Sequence, residues 1–164
     1  MDPAIQPWLD LWDYLDGNFW SVWQWAARDL DPDDVGWQPI PTVASVGWNL
    51  QHLAEMLDHY LTHVFGRGPQ VAPGPLVTMR RSSRDDGHFR DLDAIASYHR
   101  RVRPAYRDFL STRTLADLAR RLAHLDPAGR SSHTYAWAIG HIAEHESYHL
   151  GKVTLLRSLI AASG

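Results

Sequence analysis

The sequence predicts an all-α protein, a bundle of four main helices. Apolar residues recur at helical spacing in four long segments, at about residues 5–29, 46–65, 92–111 and 134–161. No segment alternates like a β-strand, and no internal repeat or low-complexity tract is evident. A chain of 164 residues that is 45% hydrophobic is long enough to bury a sizeable core. We therefore expect a single helical domain over residues 1–164.

The first two predicted helices are separated by a proline-rich loop. The first carries a broad, largely aromatic stripe of Trp8, Trp12, Leu15, Phe19, Val22, Trp23 and Ala26. Residues 31–45 hold three prolines and a glycine and read as a loop. Ser45 is then a suitable N-cap for the second helix. The main apolar stripe of that helix consists of Val46, Leu50, Leu53, Leu57, Tyr60 and Val64.

The second half of the chain follows a long connection. Residues 66–91 are rich in glycine, proline and charge, and at about 25 residues they exceed a tight helical turn. Pro104 is expected to kink or interrupt the third helix. A short helix is predicted at about residues 115–122, with Thr114 as its cap. The stripe of the last helix is Ala138, Ile142, His145, His149, Val153, Leu156 and Ile160.

Composition excludes several classes of function. The formal net charge is −3, so no basic footprint for nucleic acid is present. The chain has no cysteine, which excludes disulfides, thiolate metal sites and a thiol nucleophile of its own. No apolar run approaches the length of a membrane span, and residues 1–8 do not resemble a signal peptide. A cytoplasmic location without membrane contact is the expectation.

The stretch "HIAEHESYHLGK", residues 141–152, raises the question of a metal site. His145 and His149 replace two members of the apolar stripe, and histidines at i and i+4 on one helix can bind a single zinc ion. A pair of core histidines bonded to carboxylates or carbonyls explains the spacing equally well. "HESYH" also matches the HExxH pattern, which makes Glu146 a candidate catalytic base. His141 lies about 80° to the side of the stripe.

Spacing does not choose a partner for this pair on the second helix. His52, His59 and His63 all fall to one side of its apolar stripe, and His59 and His63 form another HxxxH pair. His52 and His63 are separated by roughly 16 Å along the helix axis. They cannot serve the same ion unless the helix bends, so the sequence leaves the choice open.

Two segments carry a family resemblance. The segments resemble the DinB/YfiT-like superfamily of metal-dependent enzymes. They are "SVGWNLQHLAEMLDHYL" and, some ninety residues later, "HIAEHESYHLGKVTLLR". The resemblance follows the order of the helices and covers most of the chain. The resemblance implies a four-helix bundle of up-down-down-up topology with a long crossover between helices two and three, which residues 66–91 suit. It also implies a divalent ion, zinc or nickel, bound by His52, His145 and His149. Lys152 departs from the family, where a glutamine is common shortly after the last histidine.

The resemblance implies metal-dependent chemistry but does not identify a substrate. Members include bacillithiol S-transferases and mycothiol-dependent isomerases. Three histidines leave an open position on an ion, which could take water or the sulfur of an external thiol such as bacillithiol or mycothiol. The leading hypothesis is transfer of such a thiol to an electrophilic small molecule. A metal-dependent hydrolase and a non-catalytic, metal-binding stress-response protein are the alternatives.

Other residues have weaker functional interpretations. Glu144 and Glu146 could accept a hydrogen bond from a ligand imidazole or face solvent. Arg80, Arg81 and Arg84 could bind an anionic thiol, although a solvated loop explains them as well. The tryptophans of the first helix could pack in a homodimer, and core packing competes with that use. The sequence assigns no role to His59, His63 or His141.

Overall fold

The computed structural model describes residues 2–66, 70–72, 76–79, 89–122 and 133–163. These residues form the helices α1 (Gln6–Val22), α2 (Pro32–Gly36), α3 (Val46–His59), α4 (Leu92–Ser111), α5 (Leu115–Leu118) and α6 (Tyr135–Ser163). A 3₁₀ turn at Pro3–Ile5 precedes α1, and π-helical turns at Trp23–Ala27 and Tyr60–Val64 extend α1 and α3. Within these described ranges, β-structure is limited to one isolated bridge between Arg121 and Thr134. The predicted all-α class is confirmed.

The pairing of α3 with its neighbours sets the direction of three long helices. Asn49, near the start of α3, contacts His149, whereas Tyr60, after its end, lies beside the earlier His141. The two helices α3 and α6 are therefore antiparallel. His99 of α4 lies beside the early α3 residue Leu50, and the later Phe109 stacks on Phe65 beyond the end of α3. It follows that α3 and α4 are parallel.

The direction of α1 completes the topology. Asp13 pairs with Arg107 and Asp16 pairs with Arg103, so residue numbers rise along α1 as they fall along α4. Helices α1 and α6 thus run one way, and α3 and α4 the other. This is the expected up-down-down-up bundle. The chain must cross from one end to the other between α3 and α4, since those helices are parallel.

Local sequence signals explain the helix boundaries. Ser45 Oγ accepts from Trp48 N at 3.1 Å and caps α3 as predicted, and Thr114 forms a reciprocal capping box with Asp117 at α5. The loop predicted at residues 31–45 contains the short α2, whose first N–H groups are accepted by the Asp31 side chain. The helix α4 continues through Pro104, so the predicted interruption does not occur. Pro104 is exposed, and the buried residues on either side of it hold α4 in place.

The core is built from the predicted stripes. Trp12 and Phe19 of α1, Leu53 of α3 and Val153 of α6 are buried, while the off-stripe Trp25 is 61% exposed. Burial of these side chains supplies the main stabilisation of the bundle, at about 1.5–3 kcal/mol for each large apolar group. None of the helices in the described part of the chain is long and apolar enough to cross a membrane.

Buried carboxylates attach the crossover to α3. Asp58 accepts hydrogen bonds from Val71 N at 2.9 Å and Ala72 N at 2.6 Å, and Glu55 accepts from both Thr78 N and Thr78 Oγ1 at 2.7 Å. Charge-assisted bonds of this kind are among the stronger ones in proteins. Residues 70–72 and 76–79 are thereby held against the helix that carries His52.

Close packing positions the far end of the crossover. A Cβ on Gly47 would lie 1.7 Å from the carbonyl oxygen of Phe89, so this contact requires glycine. The arginines considered for anion binding, Arg80, Arg81 and Arg84, lie outside the described residues.

Candidate metal centre

Three histidines converge between α3 and α6. One ring nitrogen each from His52, His145 and His149 lies within 4.8 Å of those of the other two. The antiparallel packing of α3 and α6 places His52 opposite the i, i+4 pair on α6. No second group of three or more histidine, aspartate or glutamate side chains comes together in this way within the described ranges. The structure thus brings together the three ligands that the family resemblance implied.

The ring of His149 is oriented by Asn49. The Asn49 amide nitrogen donates to the carbonyl oxygens of Ser45 at 2.7 Å and Ala44 at 3.2 Å, which leaves Asn49 Oδ1 as an acceptor. His149 Nδ1 lies 2.7 Å from that oxygen and must therefore carry the proton. This bond sets the tautomer and leaves His149 Nε2 unprotonated, as a metal ligand requires.

A second chain of hydrogen bonds orients His52. Thr78 Oγ1 donates its only proton to Glu55, so it can only accept from His52 Nδ1, which lies 3.2 Å away. His52 Nδ1 therefore carries the proton, and its Nε2 presents a lone pair towards the other histidines. Gln51 donates to the second oxygen of the same Glu55 carboxylate at 2.8 Å. Two of the three rings thus have a tautomer set by neighbouring groups.

The third ring, His145, faces His52, and among the described residues no group fixes its tautomer. Its Nε2 lies 3.3 Å from His52 Nε2, and its Nδ1 is buried with no hydrogen-bond partner among the described residues. Two imidazole nitrogens on one tetrahedral zinc ion lie about 3.3 Å apart, because each Zn–N bond is about 2.0–2.1 Å long. The separation of the His52 and His145 nitrogens therefore fits a shared ion without rearrangement.

All three histidines are held in the neutral form. Burial, followed by the charge of neighbouring groups, lowers the pKa of His52 and of His145 to about 4. The same causes, with burial again the largest, lower the pKa of His149 further. Neutral imidazole is the form that binds a metal, so near neutral pH these rings need not lose a proton first. The donor set fits a divalent zinc or nickel ion, which imidazole suits.

Aromatic packing limits the movement of the site. The indole ring of Trp48 stacks on the His52 ring at a centroid distance of 4.6 Å and an interplanar angle of 12°. It also lies 6.1 Å from the His149 ring. The stacked indole ring restricts the rotation of the His52 ring.

The other histidines considered from the sequence lie outside the three-histidine group. His141 is half-buried, and its ring stacks on Trp137 with the centroids 5.1 Å apart. The rings of His59 and His63 lie 5.1 Å apart, and His63 is exposed. Their positions assign none of the three a ligand role.

The two glutamates beside the candidate ligands His145 and His149 have different surroundings. Glu144 is exposed. Glu146 is buried, and both of its carboxylate oxygens accept from the Arg103 guanidinium at 3.1 Å. Burial raises the pKa of Glu146, and Arg103 opposes the rise. The structure does not group Glu146 with the histidines, and its role as a base remains a prediction.

Sequence reasoning missed Asn49, Thr78 and Trp48. Asn49 is fully buried. It could have been recognised from the sequence as a polar residue near the start of an apolar helix, three positions before His52. Thr78 lies in the crossover, where no periodicity marks it. Residues that orient a metal ligand are found through contacts rather than through spacing.

Comparison with known proteins identifies a family. The family model described as the DinB superfamily matches residues 18–153, which include all three converging histidines. No curated protein matches the chain. The match and the geometry point to the same residues, since the matched region contains α3, α4 and the part of α6 that carries the histidine pair.

Proposed function

This chain belongs to the DinB superfamily, and from that premise we propose that it transfers a low-molecular-weight thiol to an electrophilic small molecule at a three-histidine metal site. The observation that carries the proposal is the convergence of His52, His145 and His149 within 4.8 Å. Neutral histidines leave the charge of a divalent ion uncompensated, and three ligands leave a position open. These are features of a catalytic site rather than a closed structural one.

The residues of the chain would hold and shield the reacting groups. His52, His145 and His149 would bind the ion, while Asn49 and Thr78 keep two of the rings in the ligating tautomer. A bound ion would supply Lewis acidity and lower the pKa of a thiol that reaches its open position. The chain has no cysteine, so the thiol must come from outside, with bacillithiol or mycothiol as candidates.

The surroundings of the site favour a thiol reaction over hydrolysis. Hydrolysis at an HExxH-type site uses the glutamate as a general base close to the ion. Here the carboxylate of Glu146 is bound by Arg103. The described residues that line the pocket beside the histidines include no aspartate or glutamate. A thiol can be activated by the ion alone, so thiol transfer needs no carboxylate in that wall.

Metal content is the first test. Untagged protein analysed by inductively coupled plasma mass spectrometry is expected to contain about one zinc or nickel ion per chain. The His52→Ala and His149→Ala variants should lose it, and His63→Ala, which changes an exposed histidine, should retain it. A wild-type protein that binds neither ion after metal loading overturns the proposal.

Turnover is the second test. The metal-loaded protein is incubated with 1-chloro-2,4-dinitrobenzene and either bacillithiol or mycothiol, and the conjugate is measured by its absorbance. We expect conjugation that requires the thiol, the ion and His52. Full activity in His145→Ala and His149→Ala would contradict a metal-dependent reaction. Metal-dependent hydrolysis of ester substrates without a thiol would instead establish the hydrolase, and binding without any turnover would establish the non-catalytic alternative.

A further inference from the structure

A pocket of about 540 Å³ opens onto His52 and His149. Its described lining residues are Pro39, Thr42, Val43, Ala44, Trp48, His52, Tyr148, His149, Lys152, Leu155, Leu156 and Leu159. Along α6 the wall extends from Tyr148 to Leu159, a rise of roughly 16 Å. The volume lies within the range of about 300–1,000 Å³ found for small-molecule sites. The pocket can therefore hold a ligand that reaches the histidines and also extends well beyond them.

Most of the pocket wall is apolar. Val43 and Ala44 come from the loop before α3, and Leu155, Leu156 and Leu159 come from α6. Leu155 is 60% exposed and Leu159 is 39% exposed, so two large apolar side chains of this wall are accessible to a ligand. An apolar ligand that covers them would gain about 25 cal/mol for each Å² of apolar surface removed from water.

The polar part of the wall is positively charged. Lys152 is its one formally charged side chain, and no described lining residue is an aspartate or glutamate. The Lys152 Nζ lies 4.1 Å from the centroid of the Tyr148 ring, a cation–π contact that places the ammonium at the wall. Lys152 lines the same pocket as His52 and His149, so its ammonium lies on the side of the site where those two rings are exposed to a ligand. A divalent ion on neutral histidines would add to this positive field.

We propose that this pocket selects an apolar monoanion, a molecule with a hydrophobic body and one carboxylate. The carboxylate pairs with Lys152 beside the histidines, and the hydrophobic body lies along Leu155, Leu156 and Leu159. This inference rests on the proposed function, in which the molecule is the electrophilic partner of the thiol. Lys152 then acts as the specificity-determining residue.

The test compares probes that separate charge from apolar area. Binding of octanoate, 1-octanol and acetate is measured by isothermal titration calorimetry with zinc-loaded protein. Octanoate is expected to bind at least tenfold more tightly than either of the others, because only octanoate has both features. A hydrogen bond to a charged group contributes about 1.5–3 kcal/mol, so Lys152→Gln should weaken octanoate binding about tenfold or more. The same variant should leave the weak binding of 1-octanol unchanged.

Arg157→Gln is the matched control. It removes one positive charge from the same helix, and Arg157 is not among the residues that line the pocket. The inference is overturned if 1-octanol binds as tightly as octanoate, or if the two charge-removing variants weaken octanoate equally. A second variant, Leu159→Asn, should weaken the binding of octanoate several-fold and leave the binding of acetate unchanged. Equal effects on the two ligands would also contradict the inference.

Repeating the titrations on metal-free protein separates this inference from the proposed function. If the chain binds no metal, the proposed function fails, yet octanoate binding that depends on Lys152 still supports the monoanion pocket. If metal binds at His52 and His149 but octanoate shows no preference over 1-octanol, the pocket inference fails alone.

Discussion

Asn49 Oδ1 lies 2.7 Å from His149 Nδ1, across the interface between α3 and α6. The Asn49 amide is itself fixed by the carbonyl oxygens of Ala44 and Ser45, so the N-terminal turn of α3 determines how a residue 100 positions later presents its ring. The turn that Ser45 caps therefore also orients one of the three candidate metal-binding histidines. Loss of this contact should affect metal affinity and folding together.

Asn49→Ala tests that coupling. The variant leaves the buried Nδ1 of His149 without an acceptor, so the free energy of unfolding should fall by about 1–3 kcal/mol. Loss of a group that orients a metal-binding histidine typically lowers metal affinity by about 10–100-fold. Zinc affinity from competition with a chromophoric chelator, and urea unfolding, measure the two effects. Asn18→Ala, at an exposed position of α1, is the control and should change neither.

Thr78 should control His52 through its hydroxyl alone. Thr78→Val keeps the shape of the side chain but removes both the acceptor for His52 Nδ1 and the donor to Glu55. We expect zinc affinity to fall by about 10-fold or more, while Thr78→Ser retains it. The same chelator competition gives the answer. Equal affinity in the Val and Ser variants would show that the hydroxyl does not orient His52.

Glu146 and Arg103 should contribute to stability rather than to metal binding. Their carboxylate and guanidinium are both buried, with exposed fractions of 1% and 2%. Glu146→Ala leaves Asp16 as the remaining ionic partner of the buried Arg103 guanidinium. The free energy of unfolding should therefore fall, but by less than the about 3–5 kcal/mol that a fully unpaired buried charge costs. The double variant Arg103→Met, Glu146→Leu should recover part of that loss, because it removes both buried charges and leaves only Asp16, which is 36% exposed, without its partner.

These two variants, together with Glu146→Gln, test the catalytic prediction for Glu146. Metal content per folded chain should stay near the wild-type value in all three. If Glu146→Gln folds with wild-type stability but abolishes metal-dependent turnover, the carboxylate takes part in the reaction and the structural interpretation is wrong.

His99 should make folding stability depend on pH. The ring is fully buried beside Phe19, and its Nε2 donates to the Leu50 carbonyl oxygen at 2.8 Å. Burial, followed by the nearby Arg103 charge, lowers the pKa of His99 to about 3. The unfolded chain has a pKa near its ordinary value of 6.5, so between pH 6.5 and 3 the unfolded state binds the proton first. Stability is therefore fully present above pH 6.5 and decreases as pH falls through this window.

Metal-free protein is the sample for this measurement, with unfolding by urea at several pH values. One such group gives a slope of at most about 1.4 kcal/mol per pH unit. The site histidines titrate in the same range, so the informative quantity is the difference between wild type and His99→Gln, which should show the smaller slope. Equal slopes in the two proteins would exclude His99 as a source of the dependence.

Local patterns in the sequence were sufficient for the four long helices and for the caps at Ser45 and Thr114, but not for the short α2. Helical periodicity depends only on which residues are apolar, so the stripes through Leu53 and Val153 could be read without a structure. Ser45 was recognisable as a cap because capping involves only neighbours in sequence. His145 and His149 could be singled out because they replace members of an apolar stripe. Spacing alone did not distinguish a metal site from a pair of hydrogen-bonded core histidines. Choosing His52 over His59 and His63 required the family resemblance.

The tertiary structure decided which groups surround the histidines. Thr78 reaches His52 across 26 residues of sequence, and Arg103 reaches Glu146 across 43. The "HESYH" pattern made Glu146 a candidate base, and only the packing of α4 against α6 showed that its carboxylate is bound by Arg103. Contacts between distant segments depend on how helices rotate and slide against one another. The sequence alone determined the helices and three candidate ligands, whereas only their packing decided how those ligands are oriented and which pocket they face.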